Sequence, residues 1–477
     1  MRGSNNSILG KKIYFCRFVA LSLRLMPILP IDSGRYGSKE MRYIFEEERR
    51  LQYQLDFEAT VARAQAELGM IPGDAADEIA REARLDRVTA ARVRELESVS
   101  EHDTAAVVEA LSEQVSAKSK RWIHYGLTSN DVIDTSICMQ MREAISIILS
   151  KLAELAHLLV DRALEFKDLP AVGRTHGQHA SIISFGLKFA VWAAEISKHI
   201  ERIKEGEKRI LVCKTLGVVG TGSLMGDKAL EVQKIVAHKL GLYSVDAATQ
   251  IVPRERFAEI QFCTALIGST LDKIAIEIRN LQRTEIGEVA EPFRKGQMGS
   301  SAVPVKRNPI KSERVSSLAR ILRSLMSVSM ENIASWHERD LSNSANERFT
   351  LPMAAILLDE MLNSMTSVIR ELRVNKERIS YNIEMTKGQI YAEFVLDALI
   401  KKGVARFDAY RDIQRVAFSA LESGQHFFDA ALKDRNISTH LSEQELVAIF
   451  DAKNHLAASG RIIENTAGIV INATKQM

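Results

Sequence analysis

The nine prolines of this 477-residue chain bracket stretches in which apolar residues recur at helical spacing, and that pattern constrains the fold most. Between Asn130 and Pro170, the run Ile137, Met141, Ile145, Ile148, Leu152, Leu155, Leu159 and Ala163 keeps to one face of a helix. The same period runs through Ser181–Leu211, Arg254–Val289, Lys311–Arg339 and Pro352–Ile379, so five long helices are expected and no alternating strand pattern competes. A segment of roughly 30 residues spans about 45 Å, more than helices in ordinary small domains. Leu318, Ile321, Leu322, Leu325, Met326 and Val328 occupy more than one face of their helix, which predicts packing against other chains as well. The expected fold is all-α and homo-oligomeric. It has a helical domain over 32–129, a central five-helix bundle over 130–379 and a C-terminal helical domain over 380–477.

Charge narrows the partners. Residues 1–31 hold Arg2, Lys11, Lys12, Arg17 and Arg24 and no acidic residue. Taking those five from the 64 basic residues leaves 59 against 61 acidic, a near-neutral body that argues against a broad nucleic-acid footprint. Arg17 and Arg24 interrupt the apolar run Ile13–Leu25, so a membrane span is not expected there. A basic organellar leader and an upstream extension are the two readings of this segment, and the expected functional start is Met26. Cys16, Cys138, Cys213 and Cys263 are scattered without a CxxC pair, which indicates neither disulfides nor zinc and fits a reducing, cytoplasmic setting.

The chemistry concentrates in loops between the long helices. Gly299-Ser300-Ser301-Ala302-Val303-Pro304-Val305-Lys306-Arg307-Asn308-Pro309 joins small, mobile residues to a cation and an amide that suit a carboxylate or a developing oxyanion. Taken alone, a Gly/Ser/Pro run is a connector, but loops are also where binding groups sit. Eleven histidines are present. His157, His199 and His238 fall inside helical patterns, and His426, His440 and His455 lack polar company. The others stand in Glu101-His102-Asp103, in His124-Tyr125-Gly126-Leu127-Thr128-Ser129-Asn130-Asp131, in Arg174-Thr175-His176-Gly177-Gln178-His179 and in Trp336-His337-Glu338-Arg339-Asp340. Singly these read as helix caps and a turn. Together with the serine loop they start or end different long helices and are expected to converge at one end of a bundle.

The loop resembles the mobile signature loop of the fumarase/aspartase superfamily, with Val303 where Met is usual. The order Arg35-Tyr36, His102-Asp103, His124–Asp134, Arg174–Ala180, Thr249-Gln250 with Arg254, Ser300–Asn308 and Trp336–Arg348 resembles the adenylosuccinate lyase family over about Arg35 to Arg348. In that family Arg-Tyr lies close to the N-terminus, which also favours Met26 as the start. Val305, where the family often carries histidine, is a further departure.

That resemblance implies β-elimination of fumarate from succinyl nucleotides, with no metal and no organic cofactor. It implies Ser300 as base and His176 as acid, with Glu313 orienting His176 and His102 assisting at the leaving group. Serine is a poor base, so its proton must be lost to a local field from loop N–H groups and Lys306. Lys306, Asn308, Thr128 and Ser129 would bind the succinyl carboxylates, and Gln250 an amide or carboxylate. Arg35, Tyr36, His124, Arg339, Ser344 and Arg348 would hold the phosphate and ribose, with Asp103, Thr175 and Ser301 also at the substrate. Small molecules are the expected partners, with no nucleic acid and no membrane. The resemblance further implies a homotetramer whose sites are shared among three chains. Argininosuccinate lyase, fumarase, aspartase and carboxymuconate cycloisomerase share the loop, and a crystallin-like structural assembly shares the scaffold. The set His102, His176, Ser300, Lys306 and Glu313 speaks against a purely structural role.

Overall fold

The computed structural model of the chain describes residues 29–475. Cys16, the basic segment 1–25 and the expected start at Met26 lie outside the described residues.

Five long helices form the centre: Ser129–Glu165, Phe185–Ile210, Glu255–Leu281, Ile310–Glu331 and Ser344–Glu371. Their inward faces bury Leu152, Leu155, Phe189, Leu271, Ile274, Leu322, Leu358 and Met361 almost completely. This is the stripe that the periodicity marks, and truncating a wholly buried leucine such as Leu152 to alanine costs roughly 2–5 kcal/mol.

Several ends differ from the sequence expectation. Pro352 lies inside the fifth helix and does not begin it. The first turn forms earlier because Asn343 Nδ2 donates to Glu347 Oε2 at 2.9 Å and Arg254 holds the same carboxylate. Ile379 belongs to a separate helix, Lys376–Glu384. Ser181–Ser184 is strand, and the second long helix begins only at Phe185. Residues 332–339 lie beyond the end of the fourth helix, and Val289 lies in a two-residue strand.

Among the described residues three two-stranded sheets interrupt the helices. Pro170–Thr175 pairs antiparallel with Gln178–Ser184, Val212–Cys213 pairs parallel with Tyr243–Ser244, and Val289–Ala290 pairs antiparallel with Arg373–Val374. The first is a hairpin whose tip, His176 and Gly177, has φ of 53° and 76°. Two successive left-handed residues make the primed turn that matches strand twist, and glycine supplies the second at no steric cost.

The N-terminal helices Glu47–Glu67, Gly73–Glu82, Ala90–Ser100 and Asp103–Ser112 share a core of Leu55, Ile79, Val88, Val107 and Leu111. Tyr53, Phe57 and Val61, also on Glu47–Glu67, join the main core instead. The C-terminal helices pack around Val395, Leu399, Ile413, Phe427 and Leu446, while the last helix, Ala457–Thr474, returns Ile463, Ala467 and Val470 to the bundle. His426 and His455 have polar partners after all: Phe428 N donates to His426 Nδ1 at 3.2 Å, and His455 Nε2 meets the Ile449 carbonyl at 2.7 Å. Among the described residues no helix is long and apolar enough to cross a membrane.

Candidate active site

Thr128 caps the 37-residue first helix through a capping box with Asp131, whose Oδ2 accepts the Thr128 N–H at 2.8 Å. A long helix that starts this way directs unpaired N–H groups and positive potential outward. They face a hollow of about 720 Å³ lined by His102, His124, Thr128, Ser129, Gln250 and Arg339. All six are sequence-predicted site residues, drawn from four separate segments.

Five of the six are held by a specific partner. Ala105 N donates to His102 Nδ1 at 3.2 Å, so the neutral ring carries its proton on Nε2. Gln250 Nε2 donates to Thr128 Oγ1 at 3.4 Å, and Arg339 Nη1 donates to Gln250 Oε1 at 3.0 Å. Arg348 Nη2 donates to Asp103 Oδ2 at 2.8 Å. His124, at φ 59°, is fixed by buried Glu58, which accepts the His124 N–H at 3.1 Å and meets Nδ1 at 2.6 Å. Burial disfavours the imidazolium of His124, but the charge and hydrogen bond of Glu58, with Asp131 adding, outweigh it and hold the pKa above its ordinary value.

Arg339 also walls a neighbouring cavity of about 380 Å³ that contains Asp103, Ser344, Arg348, Arg254 and Glu347. Here Arg254, 3% exposed, donates to both oxygens of Asp134 at 2.8 and 3.0 Å and lies 3.2 Å from Glu347. One buried cation thus faces two buried carboxylates. Burial pushes the Glu347 carboxyl up to about 7, with Arg254 opposing and Asp134 adding to the rise.

The hairpin sets Thr175 and His176 on an exposed tip. Just behind the tip, Arg174 Nη1 and Nη2 donate to buried Glu288 at 3.3 and 2.5 Å. Burial and the Arg174 charge hold His179, the next histidine, below its ordinary pKa.

The serine loop is closed at its base. Asn308 Nδ2 donates to the Gly299 carbonyl at 2.9 Å, and a Cβ on Gly299 would come 2.0 Å from the Lys306 carbonyl, so only glycine fits. Ser300 Oγ accepts the N–H groups of Ala302 and Val303 at 3.3 and 3.1 Å. Two amide dipoles aimed at one hydroxyl oxygen favour its deprotonated form. Ser301 and Lys306 are exposed. Lys306, Asn308 and Glu313 line a groove of about 570 Å³ with Arg279 and Arg283. Buried Glu291 fixes the helix that follows, accepting Ser312 N at 2.7 Å and Lys311 N at 3.2 Å.

These groups do not meet within one chain. Arg254, which lines the cavity beside the histidine hollow, stands at the start of the third long helix, and Arg279, on the serine groove, lies in its last turn, so the two ends are separated by 25 residues of helix, about 38 Å. Arg35 and Tyr36 lie toward the serine end: Gly37 N and Arg314 Nη1 both donate to Glu360, at 3.3 and 3.0 Å. The expected Glu313–His176 pair is not formed within the chain. Among the described residues Glu313 makes no side-chain hydrogen bond, and His176 lines none of the three hollows.

Lys120 on the hollow's wall, Glu58 behind His124, and the Arg254–Asp134–Glu347 and Arg174–Glu288 pairs were missed as site elements from sequence. Among the described residues no group of three or more His, Cys, Asp or Glu is placed to hold a metal ion, and Cys138, Cys213 and Cys263 are buried free thiols whose pKa values burial raises.

A helical scaffold carrying these histidine, serine-loop and cation sites is that of a lyase, and residues 34–322 match the family described as Lyase. Residues 388–466 match the family described as Adenylosuccinate lyase C-terminus. The chain is 42% identical to adenylosuccinate lyase of Methanocaldococcus jannaschii over 440 residues, covering 92% of this chain and 95% of that one. It is 43% identical to adenylosuccinate lyase of Pyrococcus abyssi over 452 residues, covering 95% and 99%. The crystal structure of 3-carboxy-cis,cis-muconate lactonizing enzyme from Pseudomonas putida superposes with a TM-score of 0.85 at 28% identity, covering 94% of this chain and 100% of that one. The chain belongs to the adenylosuccinate lyase family.

Proposed function

We propose that this enzyme eliminates fumarate from adenylosuccinate, giving AMP, and from succinyl-aminoimidazole-carboxamide ribotide, giving the carboxamide ribotide, in purine biosynthesis in the cytoplasm. The observation that carries the reading is the hollow at the N-terminus of the first long helix, where six residues of the family pattern converge. Breaking the C–N bond requires removal of a weakly acidic proton beside a carboxylate, stabilisation of the resulting charge, and protonation of the departing nitrogen. Ser300 removes the proton, its oxygen supported by the Ala302 and Val303 amides. His176 supplies the proton, oriented by Glu313 of another chain, and His102 assists through Nε2.

The helix end with Thr128 and Ser129, together with Lys306 and Asn308, takes the succinyl carboxylates. Arg339, Ser344, Arg348 and His124, with Arg35 and Tyr36, hold the phosphate and ribose side, and Gln250 contacts the amide or carboxylate. Asp103, Thr175 and Ser301 complete the substrate contacts. The roughly 38 Å of helix between the two ends supports sites shared between chains, and the proposal extends to a homotetramer and to domain divisions at 31/32, 129/130 and 379/380. Chromatography of adenylosuccinate mixed with purified protein tests the reading. AMP and fumarate are expected from the parent and neither from Ser300→Ala, whereas a folded parent that releases neither sinks it.

A further inference from the structure

Beneath Thr128 and Ser129 lies an ion pair closed to solvent, between Lys214 and Asp131, both 0% exposed. Asp131 Oδ2 accepts the N–H groups of Thr128 at 2.8 Å and Gly217 at 3.0 Å, and Oδ1 accepts from Lys214 Nζ. Lys214 Nζ also donates to the Gly217 carbonyl at 3.2 Å. The lysine's own segment is fixed in turn, since Lys214 N donates to Thr135 Oγ1 at 3.2 Å and Thr215 N to Gln233 Oε1 at 3.3 Å. Gly217, at φ 75°, lies so close to the His124–Thr128 segment that an added Cβ would sit 3.1 Å from the Gly126 carbonyl.

A buried ion pair is seldom more stabilising than well-packed apolar residues, so stability alone does not explain its placement. Its position on the helix does. The N-terminus of a long helix attracts anions, but Asp131, two residues beyond Ser129, places a negative charge in the first turn, where it opposes that attraction toward an incoming carboxylate. A lysine paired to Asp131 from behind cancels the charge without occupying the hollow.

We infer that Lys214 is a positioning and charge-balancing residue: through Asp131 it fixes Thr128 and Ser129, and it neutralises the carboxylate that the first turn of the helix places behind them, which would repel an anionic substrate from this helix end. The inference rests on the lyase reading above, and names the doubly charged succinyl or fumarate moiety as the group that benefits.

The test measures KM for adenylosuccinate and the inhibition constant of fumarate, each against NaCl concentration, for the parent, Lys214→Met and Asp131→Asn, with circular dichroism and gel filtration reporting fold and assembly. Lys214→Met, which leaves Asp131 uncompensated, is expected to weaken fumarate on the order of tenfold and to raise KM more than it lowers kcat. Asp131→Asn, which removes the negative charge and keeps an acceptor for Thr128 N, is expected to bind fumarate as tightly as the parent or tighter. A pair serving only to hold the fold would weaken binding in both variants, and that result overturns the inference, as does a folded Lys214→Met within twofold of the parent. Should Lys214→Met fail to fold, Asp131→Asn alone decides. A parent that neither turns over adenylosuccinate nor binds fumarate overturns the lyase reading together with this inference, whereas an active parent with the wrong variant pattern overturns the inference alone.

Discussion

Replacing Glu347 by glutamine should stabilise the protein at pH 8 and change little at pH 5. Arg254 is shared by Asp134, which takes it through both oxygens, and Glu347, which lies 3.2 Å away and is 6% exposed. With one cation for two buried carboxylates, the second holds its proton, and burial raises the Glu347 carboxyl from 4.5 to about 7. A carboxyl whose pKa is higher folded than unfolded binds its proton longer in the folded chain. Its favourable contribution is therefore fully present below about pH 4.5, declines as pH rises toward 7, and is absent above. At 1.36 kcal/mol for each pH unit the interval is worth about 3 kcal/mol, reduced to about 2 because the Glu347 proton is coupled to the charges of Asp134, Arg254 and Arg339 around it. Glutamine keeps the acceptor for Asn343 and carries no charge at any pH. Urea unfolding at matched protein concentration should then give a variant within about 1 kcal/mol of the parent at pH 5 and about 2 kcal/mol more stable at pH 8. A variant less stable than the parent at pH 8 would refute the reasoning, because the ionised carboxylate would then be the form that the fold uses.

Gly299→Ala forces a methyl group into the Lys306 carbonyl and should lower kcat on the order of tenfold or more by misplacing Ser300, while the melting temperature, set by the buried helices, moves little. Steady-state kinetics beside a thermal scan checks this, and unchanged kcat removes the loop closure from the mechanism. Glu58→Gln takes away the charge that raises the His124 pKa against the effect of burial, so the His124 resonance should titrate at lower pH, which NMR of the labelled protein reads directly. In the same variant the protonated His124 loses its stabilising partner, so the loss of stability should be largest at acid pH and fade as pH rises through the folded value.

The long helices were legible because their apolar period is sustained over 22 residues or more, and tertiary context seldom overrides a pattern of that length. Their ends were less so. Pro352 reads as a helix start, yet the Asn343–Glu347 hydrogen bond and Arg254 extend the helix before it, and the seven-residue strand Gln178–Ser184 merges in sequence with the apolar helix that follows. The residues around the hollow were found from local company, since Thr128 with Asp131 and His102 with Asp103 are neighbours in the chain. What was hidden is what sequence separation hides. Glu58 meets His124 across 66 residues, Asp131 meets Lys214 across 83, and Asp134 meets Arg254 across 120, and none of these pairs leaves a periodic or local trace. The expected Glu313–His176 pair is absent within the chain, where Glu313 lines the serine groove and His176 stands on the exposed hairpin tip.

That separation is the central claim, and subunit complementation tests it most directly. His102→Ala and Ser300→Ala proteins, each inactive alone, are unfolded together in equal amounts, refolded, and assayed with adenylosuccinate. If the hollow and the serine loop come from different chains of a tetramer, random mixing leaves roughly a quarter of the sites with both residues intact, and activity returns to about that fraction of the parent. If both residues act from the same chain, every site keeps one defect, and a refolded, assembled mixture with no activity would contradict the shared site.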